Sequence, residues 1–196
     1  NSRGTANSQM VEFATLAELP VVSLDTVYDV LGCSAMCSIS VIDEGGDTII
    51  DKGVVYAADP DADMKNWNSL SAGRGSESCT CCLTDLEPNR TYFVAAYARN
   101  SAGIAYGNEK SFKTLVVLPE LNAVEANDIT VHSFTLNSDV LSDGGETPVE
   151  VGFYYSENVD VEPTSSIKVP TYLSGNSFSV SINGLNRASR FYARAY

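Results

Sequence analysis

The chain is short of several things that functional sites are commonly built from. In 196 residues it has one histidine, one tryptophan and three methionines, and twelve Lys and Arg stand against 25 Asp and Glu. The single histidine, His132, lies in the repeat that has no cysteine, so a Cys–His pair would have to cross repeats. A net charge of −13 and a pI near 4.3 repel a phosphate backbone, so no nucleic acid is expected as a partner. No apolar run approaches the roughly 20 residues that a membrane helix needs, and no membrane insertion is expected. There is no Gly-x-Ser-x-Gly, no phosphate-binding loop and no dinucleotide fingerprint. Nor does any segment carry a 3.6-residue apolar stripe. These absences point away from an enzyme and away from helices.

What the chain does have is repetition. Leu86-Glu87-Pro88-Asn89-Arg90-Thr91-Tyr92 leads into Phe93-Val94-Ala95-Ala96-Tyr97, and 99 residues on, Leu185 to Tyr196 repeats the pattern. The segment Asn100-Ser101-Ala102-Gly103-Ile104-Ala105 and its continuation to Leu115 matches the segment from Asn1 to Leu16, again at an offset of 99. A repeat of this length is too long for a solenoid unit and suits a domain that folds alone. The sequence is accordingly expected to be a slice of a longer tandem array. Residues 1–16 are the last strand of a preceding repeat, 17–115 the first domain and 116–196 a second domain lacking its last strand.

Within each repeat, period-two runs alternate with turn chemistry. Ala35, Cys37, Ile39 and Val41 define one half-buried strand, and Phe134, Leu136, Ser138 and Val140 define its copy. Paired glycines follow, Gly45-Gly46 and Gly144-Gly145, in turns where they can take positive φ. Further strands are expected around Gly53-Val54-Val55-Tyr56, before Leu83, and over 91–99 and 104–112. Seven short strands per hundred residues predict an all-β chain of two sandwiches.

The Leu-x-Pro-x-x-Thr-Tyr run ending at Tyr92, followed by Val94, Ala96, Ala98, Asn100 and Gly103, resembles the strand-F signature of fibronectin type III domains. Gly53-Val54-Val55-Tyr56 and Ala105-Tyr106-Gly107-Asn108-Glu109 resemble a bacterial variety that recurs in tandem in secreted and surface-anchored proteins. The resemblance implies two tandem immunoglobulin-like, seven-stranded β-sandwiches, the second lacking its last strand. It also implies an extracellular or bacterial cell-surface setting. Tyr92 takes the position of the family's tyrosine corner, whose hydroxyl ties back to backbone; the second copy has Phe191 there and cannot make that bond. Tyr92, Gly53 and Gly152 are thus structural candidates.

Other clusters bear on chemistry. All five cysteines, Cys33, Cys37, Cys79, Cys81 and Cys82, fall in repeat one. Strand spacing sets Cys33 and Cys37 too far apart to share a zinc ion, leaving free thiols or one cross-strand disulfide. Their counterparts include Leu136, Phe178 and Val180, which reads Cys37, Cys79 and Cys81 as small buried hydrophobes. Asp59, Asp61 and Asp63 place oxygen ligands at every second position. The glycine and glutamate of a calcium loop are replaced by Met64 and Leu70, so only weak calcium binding or a solvated loop is expected, and no other cofactor. Trp67 is either a loop-packing residue or, with Tyr172, an exposed aromatic that stacks on sugar rings.

The expected function is therefore non-catalytic: spacing or adhesion modules of a bacterial surface or secreted multidomain protein, meeting protein or glycan at the cell surface. The alternative is a carbohydrate-binding accessory module of a glycan-processing surface protein. Because the second repeat lacks the partner of its final strand and residues 1–13 copy that partner, head-to-tail self-association by strand donation is a further expectation.

Overall fold

The computed structural model describes residues 7–59 and 63–196. The described chain is all-β, with antiparallel pairing throughout and no α-helix. It divides into two compact units. The first takes residues up to 29 with 35–83 and 92–112; the second takes 30–34, 84–91 and 113–196.

The first unit contains β1 (Val21–Tyr28), β2 (Ala35–Asp43), β3 (Asp51–Ala57), β4 (Asn68–Gly73), β5 (Cys79–Leu83), β6 (Thr91–Asn100) and β7 (Gly103–Lys113). A three-stranded sheet runs β1-β2-β5 and a four-stranded sheet β4-β3-β6-β7. The alternation of β2 buries Ala35, Cys37 and Ile39, while Val54, Val94, Ala96 and Ala98 are buried on the four-stranded sheet. Strand β6 departs from simple alternation, since Ala95 and Tyr97 are buried as well. Trp67, Tyr97, Val55 and Ala95 form a separate apolar cluster with Met64 packed on it, so this part of the sheet is covered on both faces.

The second unit contains β8 (Glu120–Leu121), β9 (Glu125–Asn127), β10 (Ser133–Ser142), β11 (Val151–Ser156), β12 (Ile167–Thr171), β13 (Ser177–Asn183) and β14 (Tyr192–Ala195). Its sheets run β13-β10-β8, with β9 also on β10, and β12-β11-β14. Shifting the numbers by 99 residues turns the pairing order of β1 to β6 into that of β8 to β14, with β8 and β9 together standing for β1. One core joins the two sheets of the second unit: Phe134, Leu136 and Val140 from β10, Phe178 and Ile182 from β13, and Val151 and Phe153 from β11. The Phe153 and Phe178 rings are tilted at 36° with centroids 5.0 Å apart, a favourable aromatic contact in the centre of that core.

Loop contacts repeat as faithfully as strands. Leu86 N–H donates to Cys33 O and Leu185 N–H to His132 O, each at 3.0 Å. Glu18 N–H donates to Gly45 O at 2.8 Å, and Val117 N–H to Gly144 O at 3.0 Å. Both glycines have positive φ, +72° and +70°, and a Cβ there would stand 2.2 and 2.1 Å from the backbone oxygens of Glu18 and Val117. The glycine pair thus serves the turn and the close approach of the incoming chain together.

Candidate functional site

Positions kept between the units are structural, which directs attention to those that differ. A Cβ on Gly53 would lie 2.0 Å from Leu70 O, and one on Gly152 2.4 Å from Val169 O. Both glycines therefore let the next strand pack against theirs. Tyr97 donates to Asp51 Oδ2 at 2.9 Å, and Tyr196 to Glu150 Oε1 at 2.8 Å, the same link at the same offset. In the second unit Lys168 joins that pair, 2.8 Å from Glu150 and 4.6 Å from the Tyr196 ring centroid. Burial and the Asp51 bond push the Tyr97 phenol up to about 12. Tyr92 is buried and stacks on Phe112 with centroids 5.9 Å apart.

The thiols form the first distinctive patch. Cys37 lies directly opposite Cys81 in the β2–β5 ladder, with Cys79 two residues from Cys81. Cys37 and Cys81 are buried, Cys79 is half-buried, Cys33 and Cys82 are exposed, and all five are free thiols. Lys52, buried where repeat two has Val151, donates to Glu77 O. Desolvation, reinforced by Cys81 and Cys82, pushes the Cys37 thiol from 9.0 up to about 12. Desolvation and Cys79 push Cys81 up to about 11, with Lys52 acting in the opposite direction. These are protonated, unreactive thiols at neutral pH.

Because both folded values lie above the unfolded value of 9.0, their stabilisation is fully present below pH 9. It is lost as pH rises towards about 11 and then about 12. At pH 10 the loss relative to pH 8 is expected to be on the order of 1 kcal/mol per thiol. Urea unfolding of the first unit under reducing conditions at the two pH values measures it. Cys81→Val, which installs the residue of repeat two, should remove about half of the pH dependence. An unchanged dependence would show that the thiols are not its source.

Among the described residues no group of three or more His, Cys, Asp or Glu side chains is placed to hold a metal. Asp61 lies outside the described residues. Asp63 caps a single 3-10 turn, Met64–Asn66, where its carboxylate accepts from Lys65 N–H at 3.1 Å. Asp59 lies in the stretch that follows β3. Trp67 is only 6% exposed, so its ring packs on the sheet and presents no open face to a sugar. The stacking role expected of Trp67 is corrected accordingly: the apolar outer surface of β3 and β6, which strand alternation alone would leave wet, holds the indole. Tyr172 differs, being 91% exposed, and lies in the other unit.

Tyr172 borders the second distinctive patch, a cleft of about 380 Å³. Asn137, Asp139, Ser177 and Ser179 line it from the β10–β13 ladder, Asn122 from the break between β8 and β9, and Glu125 from the start of β9. Ser177 donates to Asp139 Oδ1 at 2.6 Å, and Ser138 to Asn122 O at 2.9 Å. Sequence reasoning named Tyr172 alone. The signal for the rest was in the repeat: Leu24, Ile39 and Gly73 of the first copy become Ala123, Ser138 and Tyr172. Two large aliphatic side chains are lost from one end of the core, and an aromatic is added beside the space.

No family model and no curated protein matches the chain. Among solved structures it is similar to the sensor domain of the anti-sigma factor RsgI4 of Pseudobacteroides cellulosolvens, at 19% identity and a TM-score of 0.40. The match covers 51% of this chain and 98% of that one. No helix among the described residues is long and apolar enough to cross a membrane.

Proposed function

We propose that the chain is a pair of fibronectin type III-like modules that space or present other parts of a bacterial surface or secreted protein, without catalysis of their own. One observation carries this reading: the pairing order of β1 to β6 recurs in β8 to β14 at a fixed 99-residue offset. A unit whose strands, turn glycines and loop hydrogen bonds recur together is one selected to be strung in series. In that family frame β1-β2-β5 corresponds to strands A, B and E, and β4-β3-β6-β7 to C′, C, F and G. A spacer must carry load module by module. Stretching the 196-residue chain between a surface and a probe tip is expected to give two rupture events. Each should release on the order of 300 Å of chain. A single cooperative rupture would overturn the reading.

A second reading, head-to-tail strand donation between polypeptides of this sequence, has its own support. An apolar groove of about 280 Å³ beside β14 is lined by Val124, Ala126, Phe134, Leu136, Phe191 and Ala193. The segment that copies β7 at the N-terminal end leaves Met10 97% and Phe13 89% exposed. The groove accepts an extended apolar strand, and a donor from a neighbouring copy propagates the contact rather than closing it.

A further inference from the structure

The geometry points to the Tyr172 cleft as a binding site for a neutral oligosaccharide, a function added to the second module and absent from the first. The argument begins with how the cleft arises. In the first unit β1 is continuous, and Leu24 and Ile39 are buried to 1% and 0% exposure. In the second unit the equivalent strand is broken into β8 and β9. Ala123 sits in the break, and Ser138, in the place of Ile39, turns its hydroxyl to Asn122 O. Beside these smaller side chains the cleft opens to solvent.

The lining then selects the ligand. Asn137 offers an amide that both donates and accepts, and among the described residues its side chain has no intramolecular partner. Asp139 keeps one carboxylate oxygen beyond the one occupied by Ser177. Ser174 and Ser179 add hydroxyls, and Glu125 adds a second carboxylate. A lining that mixes donors with acceptors matches sugar hydroxyls, each of which donates one hydrogen bond and accepts others. No lysine or arginine lines the cleft, and two carboxylates do, so phosphates, sulfates and uronates are repelled. The Tyr172 ring supplies an amphipathic face at the rim, suited to the C–H face of a pyranose. The volume falls in the roughly 300–1,000 Å³ range of small-ligand sites.

The 196-residue chain is titrated by NMR with cellohexaose, xylohexaose and mannohexaose, with hexagalacturonate and hexalysine as comparators. At least one neutral hexaose should saturate, with a Kd on the order of 1 mM or tighter. The shifts should centre on Asn137, Asp139 and Tyr172. Tyr172→Ala should weaken binding about tenfold or more, and Asp139→Asn by a smaller factor. Tyr172 is almost wholly exposed, so its removal should leave the unfolding midpoint unchanged. The proposal fails if no neutral hexaose shifts these residues at about 10 mM. It also fails if binding survives Tyr172→Ala, or if hexalysine binds there and the sugars do not. The spacer reading is untouched by any of these results.

Discussion

Phe153→Ala is expected to unfold the second unit while the first stays folded, at a cost of about 3–5 kcal/mol. Phe153 is 0% exposed, and with Phe178 it fills the space between the two sheets of its unit. The corresponding residues of repeat one are Val54 and Cys79. The two cores are thus filled from different positions: the first by Leu24 and Ile39, the second by the paired phenylalanines. Truncation at Phe153 leaves a void that Ala123 and Ser138 are too small to fill, so relaxation recovers little. Domains of this size have roughly 5–15 kcal/mol in total, and the predicted loss takes much of it. A drop of roughly 15 °C or more in the second unit's Tm follows. Trp67 is the only tryptophan and lies in the first unit, so its fluorescence reports that unit alone. Circular dichroism should show one transition moved down while the Trp67 transition stays in place. If both move together, the units do not unfold independently and the division of the core is wrong. Phe153→Val, which restores the residue of repeat one, should cost less than the alanine but still be destabilising, because Leu24 and Ile39 have no counterparts to fill the gap.

Much of the architecture was legible because the sequence carries its own comparison. A single 99-residue offset placed the strands and the paired glycines. It also read Cys37, Cys79 and Cys81 as buried from their counterparts Leu136, Phe178 and Val180; Cys37 and Cys81 are buried, while Cys79 is only half-buried. Alternation was less informative where a sheet is covered twice. The strand-F signature singles out the alternating Val94, Ala96 and Ala98 of β6, yet Ala95 and Tyr97 are buried too, under Trp67 and Met64. No period-two rule contains a loop that folds back over the outer face. The cleft was hidden for a related reason. Each of Ala123, Ser138 and Tyr172 is ordinary in a strand or loop, and they become a site only when paired registers bring them to one end of the core. Lys52 is a buried charge whose twin, Val151, marks the position as interior.

The groove beside β14 yields the other large effect: a peptide with the sequence of residues 103–113 should bind the second unit and stabilise it. In the first unit β7 carries that sequence and closes the structure between β6 and β1. Asn108 makes the decisive contacts there, its Nδ2 donating to Leu24 O and its Oδ1 accepting from Leu24 N–H, each at 3.0 Å. Lys110 donates to Asp25 O at 2.6 Å, and at Gly107 a Cβ would stand 2.4 Å from Val22 O. The groove in the second unit presents the corresponding surface with an apolar floor of Val124, Ala126, Phe191 and Ala193. A supplied strand therefore gains backbone pairing along β14 together with burial of its inward side chains. By mass action the second unit should gain about 2.7 kcal/mol when the peptide is present at 100 times its Kd, while the Trp67 transition stays unmoved. An Asn108→Ala peptide should bind more weakly and a scrambled peptide not at all. The same peptide also tests strand donation. If segments of neighbouring copies occupy the groove, free peptide should compete them away, and light scattering should fall to the monomer mass. Deletion of residues 1–14 should give the same mass without peptide. A chain that is monomeric at high concentration, yet still stabilised by the peptide, would keep the groove as a strand acceptor and rule out donation between copies. A peptide that leaves the second transition where it was would show that the groove takes no strand.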